Sequence, residues 1–185
     1  MPDEEWKALN FFATLHQQQI RKIDEEPFIK HPYETWQLVA MVTADRDTRI
    51  AALGHDSVED TEITLEEIEE LFGANVARII WGVTKDPTIE DRHECKVAYL
   101  ARLKDEAPEE SVVIALADKI SNLKDTLHHH KALGDEIWQN FSSGPAEQLW
   151  WYESVFEIGV LRQPDCPLLP MLAALIVELR VAVKA

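Results

Sequence analysis

The chain has 185 residues, 46% of them hydrophobic, and a formal net charge of −16. This length and apolar content allow a substantial buried core and exclude an intrinsically disordered chain. The acidity excludes a non-specific nucleic-acid binder, because there is no basic field to attract phosphate backbones, whereas a small anionic ligand responds to local charge. We expect a single domain over residues 1–185.

Cysteine usage and the two ends of the chain bear on its compartment. Cys95 and Cys166 are too few for a disulfide framework and lack CxxC spacing, so we expect a reducing, cytoplasmic setting. The acidic N-terminus lacks the basic and apolar regions of a signal peptide. Residues 168–183 are apolar but short for a membrane span, and they include Glu178 and Arg180. We therefore predict no membrane partner and a last helix that packs in the core or in a homo-oligomer.

Apolar residues recur at helical spacing along the whole chain, with little β-type alternation, so we predict an all-α fold of about eight or nine helices. The first helix is predicted over about residues 4–22, and the second begins near Pro32 and reaches about residue 44. The third carries residues 51–61. Thr64 and Glu67 predict a capping box that opens a fourth helix, and Gly73 predicts its end.

Prolines and polar segments separate the predicted helices in the rest of the chain. Helices are predicted over about residues 75–83 and 89–106, and Pro108 separates the second of these from a helix that carries residues 112–122. Pro145 predicts the start of an eighth helix, and the ninth covers residues 168–183.

Residues 51–61 read Ala-Ala-Leu-Gly-His-Asp-Ser-Val-Glu-Asp-Thr. In a helix, His55 lies one turn from Glu59, and Asp56 lies one turn from Asp60. Three carboxylates so close together repel one another unless a cation or water offsets their charge. An exposed acidic helix end is the alternative, but the apolar lead-in favours a segment that enters the core.

A second polar pair follows an apolar run. Residues 112–116 are almost continuously apolar, and they deliver Asp118 and, one turn later, Asn122. A buried carboxylate without a partner is costly, so Asp118 should meet a metal or several donors. The alternative is a core aspartate paired with a lysine or arginine.

These patterns predict one divalent metal site. Its four candidate ligands each lie at a helix boundary or directly after an apolar run: His31, His55, Asp56 and Asp118. Two imidazoles and two carboxylates without a thiolate suit Mn²⁺, with Fe²⁺ or Zn²⁺ as alternatives. A six-coordinate ion would keep places for water and lower the pKa of that water. Glu59 and Asp60 are then placed to orient the water or take its proton.

Several motifs in this order resemble one known family. They are residues 19–22 (Gln-Ile-Arg-Lys), 27–32 (Pro-Phe-Ile-Lys-His-Pro), 51–61, 71–73 (Leu-Phe-Gly) and 115–123 (Ala-Leu-Ala-Asp-Lys-Ile-Ser-Asn-Leu). Together they resemble the HD superfamily of metal-dependent phosphohydrolases. The resemblance is closest to the hydrolase domain of RelA/SpoT-type alarmone enzymes and to small alarmone hydrolases of the metazoan SpoT homologue type. It covers about residues 8–130, and the helices from 135 to 185 follow this motif-bearing core of a single HD-type domain.

The resemblance implies a Mn²⁺ on the four candidate ligands and removal of pyrophosphate from the 3′ position of guanosine tetra- or pentaphosphate. It makes Glu59 and Asp60 the catalytic carboxylates. It also implies that Arg21 and Lys22 line the nucleotide pocket and that Asn122 contacts the ribose or base side. With 185 residues we expect a hydrolase without a synthetase domain.

The last third of the chain departs from these relatives. Small alarmone hydrolases use basic and tyrosine side chains there and before the second aspartate to hold phosphates, whereas residues 150–152 are aromatic here. The best basic candidates before Asp118 are Arg92 and Lys96. Other interpretations therefore stay open: a hydrolase of another phosphorylated nucleotide or dinucleotide cofactor, a silent HD domain that binds a nucleotide or protein, and an iron oxygenase. The intact Glu59–Asp60 pair argues against a silent domain, and an oxygenase would need a second metal and more histidines.

Overall fold

The computed structural model describes residues 1–21, 23 and 25–184. In this part of the chain the helices are α1 Asp3–Leu15, α2 Lys30–Val42, α3 Arg46–Gly54, α4 Ser57–Asp60, α5 Leu65–Phe72, α6 Ala74–Val83, α7 Arg92–Asp105, α8 Glu109–Leu133, α9 Pro145–Arg162 and α10 Leu168–Lys184. A 3-10 helix over Gly134–Asn140 joins α8 to α9. The all-α prediction is confirmed, and α4 is only a single turn.

Local capping sets several helix ends as the sequence predicts. Thr64 and Glu67 form the capping box of α5: the Glu67 N–H donates to the Thr64 hydroxyl (3.2 Å), and the Thr64 N–H donates to the Glu67 carboxylate (2.9 Å). Gly73 ends α5 with φ 99°, a left-handed value that favours glycine. The predicted start of the sixth helix at residue 89 is too early. The Asp91 carboxylate accepts the Glu94 N–H at 2.8 Å, and this cap starts α7 at Arg92.

The first helix ends earlier than predicted, at Leu15 rather than near residue 22. The chain then folds back on itself: the Arg21 N–H donates to the Glu26 carbonyl (2.8 Å), and the Phe28 N–H donates to the Gln19 carbonyl (3.0 Å). These bonds replace the next turns of a helix. The loop therefore returns Arg21 towards the start of α2, close to His31.

Helix α8 is the centre of the bundle, because α2, α6, α9 and α10 all pack on it. Its side chains are buried on nearly every face between Val112 and Leu123, so an apolar run rather than a one-sided stripe surrounds Asp118. Helix α9 approaches closely at Gly159, where an added Cβ would lie 2.7 Å from Leu116. This packing holds the middle of α8, and Asp118 with it, in one position.

Helices α1 and α3 meet at a second close approach. A Cβ added to Gly54, the last residue of α3, would lie 2.3 Å from the ring of Phe12. The glycine weakens the helix locally but allows α1 to cover its end. Directly after this contact the chain bends from α3 into α4, and His55 and Asp56 occupy the bend.

Helix α10 packs on α8 and α9 through buried side chains such as Leu172 and Leu179, as expected of a core helix. No helix in the part of the chain that the structure describes is long and apolar enough to span a membrane.

Candidate metal centre

The structure brings the four predicted metal ligands together from three parts of the fold. His31 lies in the first turn of α2, His55 and Asp56 lie at the bend between α3 and α4, and Asp118 lies in the middle of α8. Nε2 of His31 is 3.2 Å from Oδ1 of Asp118 and 3.4 Å from Oδ2 of Asp56. Nε2 of His55 is 3.1 Å from Oδ2 of Asp56 and 3.9 Å from Oδ1 of Asp118. The four side chains thus surround one point.

Hydrogen bonds on the far side of each imidazole fix how the two histidines face this point. Nδ1 of His55 lies 2.9 Å from the Ala52 carbonyl, which only accepts, so that nitrogen carries the proton and Nε2 keeps its lone pair. Nδ1 of His31 lies 3.0 Å from the Ser121 hydroxyl. Both Nε2 atoms are buried, and neither forms a hydrogen bond within the described residues. Two inward lone pairs beside two carboxylates fit a divalent cation.

The charges at this cluster are strongly coupled. Burial alone would lower the pKa of His31, but the Asp118 and Asp56 carboxylates raise it to about 9. The pKa of His55 is also raised, since Asp56 outweighs its burial. Burial opposes ionisation of Asp56, yet His55 and His31 hold its pKa well below the usual value. The carboxylates thus favour positive charge at this point, which protons or a divalent cation can supply.

Asp118 has partners outside the cluster as well. Lys119 contacts one carboxylate oxygen, and the side-chain amide of Asn122 donates to the other. Burial raises the pKa of Asp118, but Lys119 and the imidazoles outweigh this effect and lower it. The contacts of Asp118 are therefore compatible with both interpretations of this residue: a metal ligand and a core aspartate paired with a lysine.

A cavity of about 630 Å³ opens over the metal cluster. It is lined by charged residues between Arg21 and Asp125 and by four aromatic rings: Phe28, Phe141, Trp151 and Tyr152. This volume, with aromatic rings beside charged and polar groups, is sufficient for a nucleotide-sized ligand.

The predicted substrate-binding residues fall into two groups. Arg21 and Asn122 line the cavity, although the Arg21 guanidinium is 2.8 Å from the Asp125 carboxylate. Lys22 lies outside the described residues. Arg92 and Lys96 do not line the cavity. Their assignment to the substrate stays a prediction.

Both residues lie on α7, which packs against α9. The Lys96 ammonium is drawn to the Glu147 carboxylate, 2.9 Å away, and lies 5.7 Å from the centre of the Trp151 ring. Trp151 lines the cavity, and Lys96 does not. Arg92 is exposed at the first residue of α7.

The two predicted catalytic carboxylates have different surroundings. Asp60 lines the cavity, and burial together with the charges of Asp56 and Glu59 raises its pKa to about 6. Both oxygens of Glu59 instead contact Lys85: one accepts the Lys85 backbone N–H at 2.6 Å, and the other lies 2.7 Å from its ammonium. The two residues, adjacent in sequence, therefore cannot do the same task.

Sequence reasoning missed several residues of the site. Lys85, which lines the cavity, belongs to none of the motifs that the sequence analysis singles out, although its position directly after a buried helix is a usable signal. His16 is buried beside the loop that carries Arg21, and its Nδ1 lies 2.7 Å from the Gln19 side-chain oxygen. Gln19 also donates to the Asp60 carbonyl at 2.6 Å, which ties this loop to α4. No local pattern indicates that contact.

The described residues contain one group of three or more histidines, cysteines or acids whose ligand atoms lie within 4.8 Å of one another: His31, His55 and Asp118. Asp56 completes it through the contacts given above. A second metal centre, which the oxygenase interpretation requires, is not found in this part of the chain.

A helical bundle with two histidines and two aspartates clustered in its core is typical of the HD class of proteins. The sequence profile of the HD domain matches residues 8–142, and the chain belongs to the HD domain family. Among curated proteins, the guanosine-3′,5′-bis(diphosphate) 3′-pyrophosphohydrolase MESH1 of Danio rerio is 37% identical over 124 residues, which cover 64% of this chain and 67% of that protein. The MESH1 of Homo sapiens is also 37% identical, over 125 residues, with the same coverage.

A longer bacterial relative shares only one part with this chain. The guanosine-3′,5′-bis(diphosphate) 3′-pyrophosphohydrolase of Aquifex aeolicus is 37% identical over 123 residues, which cover 66% of this chain but 18% of that protein.

Two solved structures resemble the whole bundle. A metazoan orthologue of SpoT that hydrolyses ppGpp aligns with a TM-score of 0.77 at 26% identity and covers 96% of each chain. The protein lmo0812 from Listeria monocytogenes aligns with a TM-score of 0.73 at 24% identity, over 83% of this chain and 98% of that one. The second similarity bears on the fold alone.

Proposed function

We propose that the chain is a metal-dependent phosphohydrolase that removes the 3′-pyrophosphate of guanosine tetra- or pentaphosphate (ppGpp or pppGpp), the nucleotides of the stringent response. The names of its MESH1 relatives and the activity of the SpoT orthologue with the same fold support this substrate. The observation that carries the proposal is the pair of buried, unbonded Nε2 atoms of His31 and His55. They face Asp56 and Asp118 at the wall of a nucleotide-sized cavity.

We propose Mn²⁺ as the ion, with Fe²⁺ or Zn²⁺ as alternatives, because the donor set has imidazoles and carboxylates but no thiolate. His31, His55, Asp56 and Asp118 would hold it. When bound, such an ion polarises a phosphoryl oxygen and lowers the pKa of water, so that hydroxide is available near neutral pH.

The cavity supplies the proton acceptor. Water attacks the phosphorus bonded to the 3′ oxygen, the bond between these two atoms breaks, and the 3′ oxygen gains a proton as pyrophosphate leaves. Asp60 lines the cavity with a pKa of about 6, so at neutral pH it is ionised and still basic enough to take a proton from the water.

The remaining cavity residues suit a nucleotide. Aromatic rings such as Phe28 and Trp151 offer faces for a base, and the Asn122 amide can bond the ribose or base side. Arg21 would exchange Asp125 for a phosphate oxygen, because a guanidinium binds both groups in the same geometry. The assignment of Lys22 to the nucleotide pocket stays a prediction.

The wider setting follows from composition. We propose a small anionic nucleotide as the partner, with no nucleic acid and no membrane, and a cytoplasmic location. The net charge of −16 and the free thiols of Cys95 and Cys166 support these assignments. A homo-oligomer stays a prediction.

The test is an assay of purified protein loaded with Mn²⁺ and supplied with guanosine tetraphosphate. We expect equal amounts of pyrophosphate and guanosine diphosphate. Asp56→Ala should lose both the metal and the activity. A wild-type protein that retains Mn²⁺ but releases no pyrophosphate would overturn the substrate assignment.

One observation favours a second candidate, a nucleotide or dinucleotide cofactor with fewer phosphates. Among the described residues that line the cavity, each cation already faces a carboxylate: Arg21 with Asp125, Lys85 with Glu59, and Lys119 with Asp118. Such a cavity offers less uncompensated positive charge to a bis-diphosphate. A panel of 2′- and 3′-phosphorylated nucleotides under the same conditions separates the two candidates, because the preferred substrate has the larger kcat/KM.

A further inference from the structure

We propose that Lys85 binds the pyrophosphate group of the substrate and that Glu59 acts by positioning Lys85, not by handling the attacking water. The inference rests on the proposed phosphohydrolase function and assigns a role to a residue that carries no sequence motif.

The first observation is that Glu59 is fully engaged by one residue. One of its oxygens accepts the backbone N–H of Lys85 at 2.6 Å, and the other is 2.7 Å from the Lys85 ammonium. A carboxylate held at both oxygens in this way has its direction fixed. Glu59 also does not line the cavity, whereas its neighbour Asp60 does. Glu59 is therefore poorly placed to hold a water.

The second observation concerns where Lys85 is held. It follows Thr84, whose hydroxyl closes the end of α6 by donating to the Ile80 carbonyl at 2.8 Å. The Lys85 ammonium lies 5.9 Å from the centre of the buried Tyr99 ring, on a wall of the cavity. The ring and Glu59 thus fix the ammonium from two sides.

The ammonium remains charged and has donors to spare. Burial lowers the pKa of Lys85, but Glu59, Asp56 and Asp118 outweigh it and raise the pKa above its usual value. Asp56 and Asp118, two of the predicted metal ligands, line the same cavity as Lys85. A lysine has three N–H donors, and Glu59 takes one. The others can donate to phosphate oxygens.

Such a cation is needed because the cavity is acidic. Asp56, Asp60, Asp118 and Asp125 all line it. A polyphosphate entering this field is repelled unless fixed cations offset its charge. As water attacks, loses its proton and displaces the 3′ oxygen, negative charge builds up on the oxygens of the phosphorus under attack and on the 3′ oxygen. An ammonium already held in place stabilises that charge without reorganisation.

A double-mutant cycle tests the dependence of Glu59 on Lys85. Lys85→Gln should lower kcat/KM about 10²-fold, the usual effect of removing one fixed donor to a developing anion. Glu59→Gln should lower it less, and the double variant should match Lys85→Gln alone. If Glu59→Gln causes its full loss again in the Lys85→Gln background, Glu59 acts independently and the inference fails. Lys85→Arg should restore part of the activity.

A binding experiment tests Lys85 without turnover. Inorganic pyrophosphate is titrated into the Mn²⁺-loaded protein by calorimetry, after metal analysis establishes equal Mn²⁺ content. We expect Lys85→Gln to weaken binding about 10-fold or more, the loss of one charge-assisted contact. Lys104→Gln, which changes an exposed lysine outside the cavity lining, should bind like wild type.

The outcomes separate the two proposals. Equal pyrophosphate binding by wild type and Lys85→Gln overturns the role of Lys85, whatever the substrate. Lys85-dependent pyrophosphate binding in a protein that does not cleave guanosine tetraphosphate overturns the proposed substrate and supports the phosphate-binding role.

Discussion

The Ser121 hydroxyl accepts a hydrogen bond from Nδ1 of His31 at 3.0 Å, and this direction is set by a third group. The same hydroxyl donates its proton to the Glu34 carboxylate at 2.9 Å, so it can only accept from the imidazole. The neutral imidazole of His31, which is the form that binds a metal, therefore carries its proton on Nδ1 and presents the lone pair of Nε2 to the other three candidate ligands. Ser121 lies one turn from Asp118 on α8, so one helix supplies a ligand and orients another.

Ser121→Ala should weaken Mn²⁺ binding about 10- to 100-fold, as is usual for loss of a group that orients a metal-ligating histidine. Titration of the metal-free protein with Mn²⁺, followed by electron paramagnetic resonance of the free ion, measures the change. Ser142→Ala is the matched control, since Ser142 lines the cavity without contacting a predicted ligand. Unchanged affinity in Ser121→Ala would mean that the packing around the His31 ring, and not its hydrogen bond to Ser121, orients this ring.

The metal itself should stabilise the fold, because its ligands come from α2, from the α3–α4 bend and from α8. An ion at 100 times its Kd adds about 2.7 kcal/mol to the free energy of unfolding, or about 5–10 °C in Tm for a chain of this size. Thermal unfolding with Mn²⁺ and with a chelator should show this difference. Asp56→Ala should show none, while Asp105→Ala, an exposed acid at the end of α7, should behave like wild type.

The convergence of His55, Asp56 and Asp118 could be predicted from the sequence because these three candidate ligands follow buried segments, whereas His31 follows the exposed Lys30. Ala51–Leu53 lead into His55 and Asp56, and the run before Asp118 is buried on nearly all sides. The polar residue that follows such a segment lies in the interior. Several carboxylates buried together repel one another, and a shared cation offsets that repulsion. The chemistry of the side chains and the helical period of the apolar residues were enough to select these candidates from the sequence.

The neighbours of these ligands could not be predicted in the same way, since they depend on packing between distant elements. Glu59 meets Lys85 only because the end of α6 lies beside α4. Lys96 looked available for phosphate, but α9 brings Glu147 to it. The local sequence shows which side chains are charged, but it does not show which residue each of them contacts. The early end of α1 has the same origin, because Arg21 bonds to Glu26 across a loop.

The contact between Gly54 and Phe12 gives a prediction about stability close to the site. An alanine would gain about 1 kcal/mol of helix propensity, but its methyl group would lie 2.3 Å from the Phe12 ring. That ring is fully buried and stacks on Phe72 at 5.3 Å, so it cannot move aside freely. We therefore expect Gly54→Ala to lower the free energy of unfolding by about 1–3 kcal/mol.

Urea unfolding of Gly54→Ala and of a matched glycine variant tests this expectation. Gly144 has φ −67°, and an added Cβ there would meet nothing within 4 Å, so Gly144→Ala should change stability little. A Gly54→Ala protein as stable as wild type would mean that α1 can shift away from α3 without loss of packing.

The start of α3, the helix that leads into His55, depends on Asp45. Its carboxylate accepts the Thr48 N–H at 2.8 Å and the Thr48 hydroxyl at 2.6 Å, and these two bonds lower the pKa of Asp45 below its usual value. Asp45→Ala should lower the free energy of unfolding by about 1 kcal/mol at pH 7. Asp45→Asn should lose less, since the amide oxygen still accepts while the charge at the helix N-terminus is gone.

The pH dependence of this difference follows from the direction of the shift. A carboxylate whose pKa is lower in the folded than in the unfolded protein stabilises the fold above the unfolded pKa, and this contribution disappears as the pH falls through the folded pKa. The stability gap between wild type and Asp45→Asn should therefore be full at pH 7 and shrink below about pH 4. Urea unfolding at both pH values measures this difference in free energy of unfolding. The contributions of the other acidic groups cancel in the difference, because both proteins share those groups. A gap that stays constant with pH would show that only the hydrogen bonds of Asp45, and not its charge, support α3.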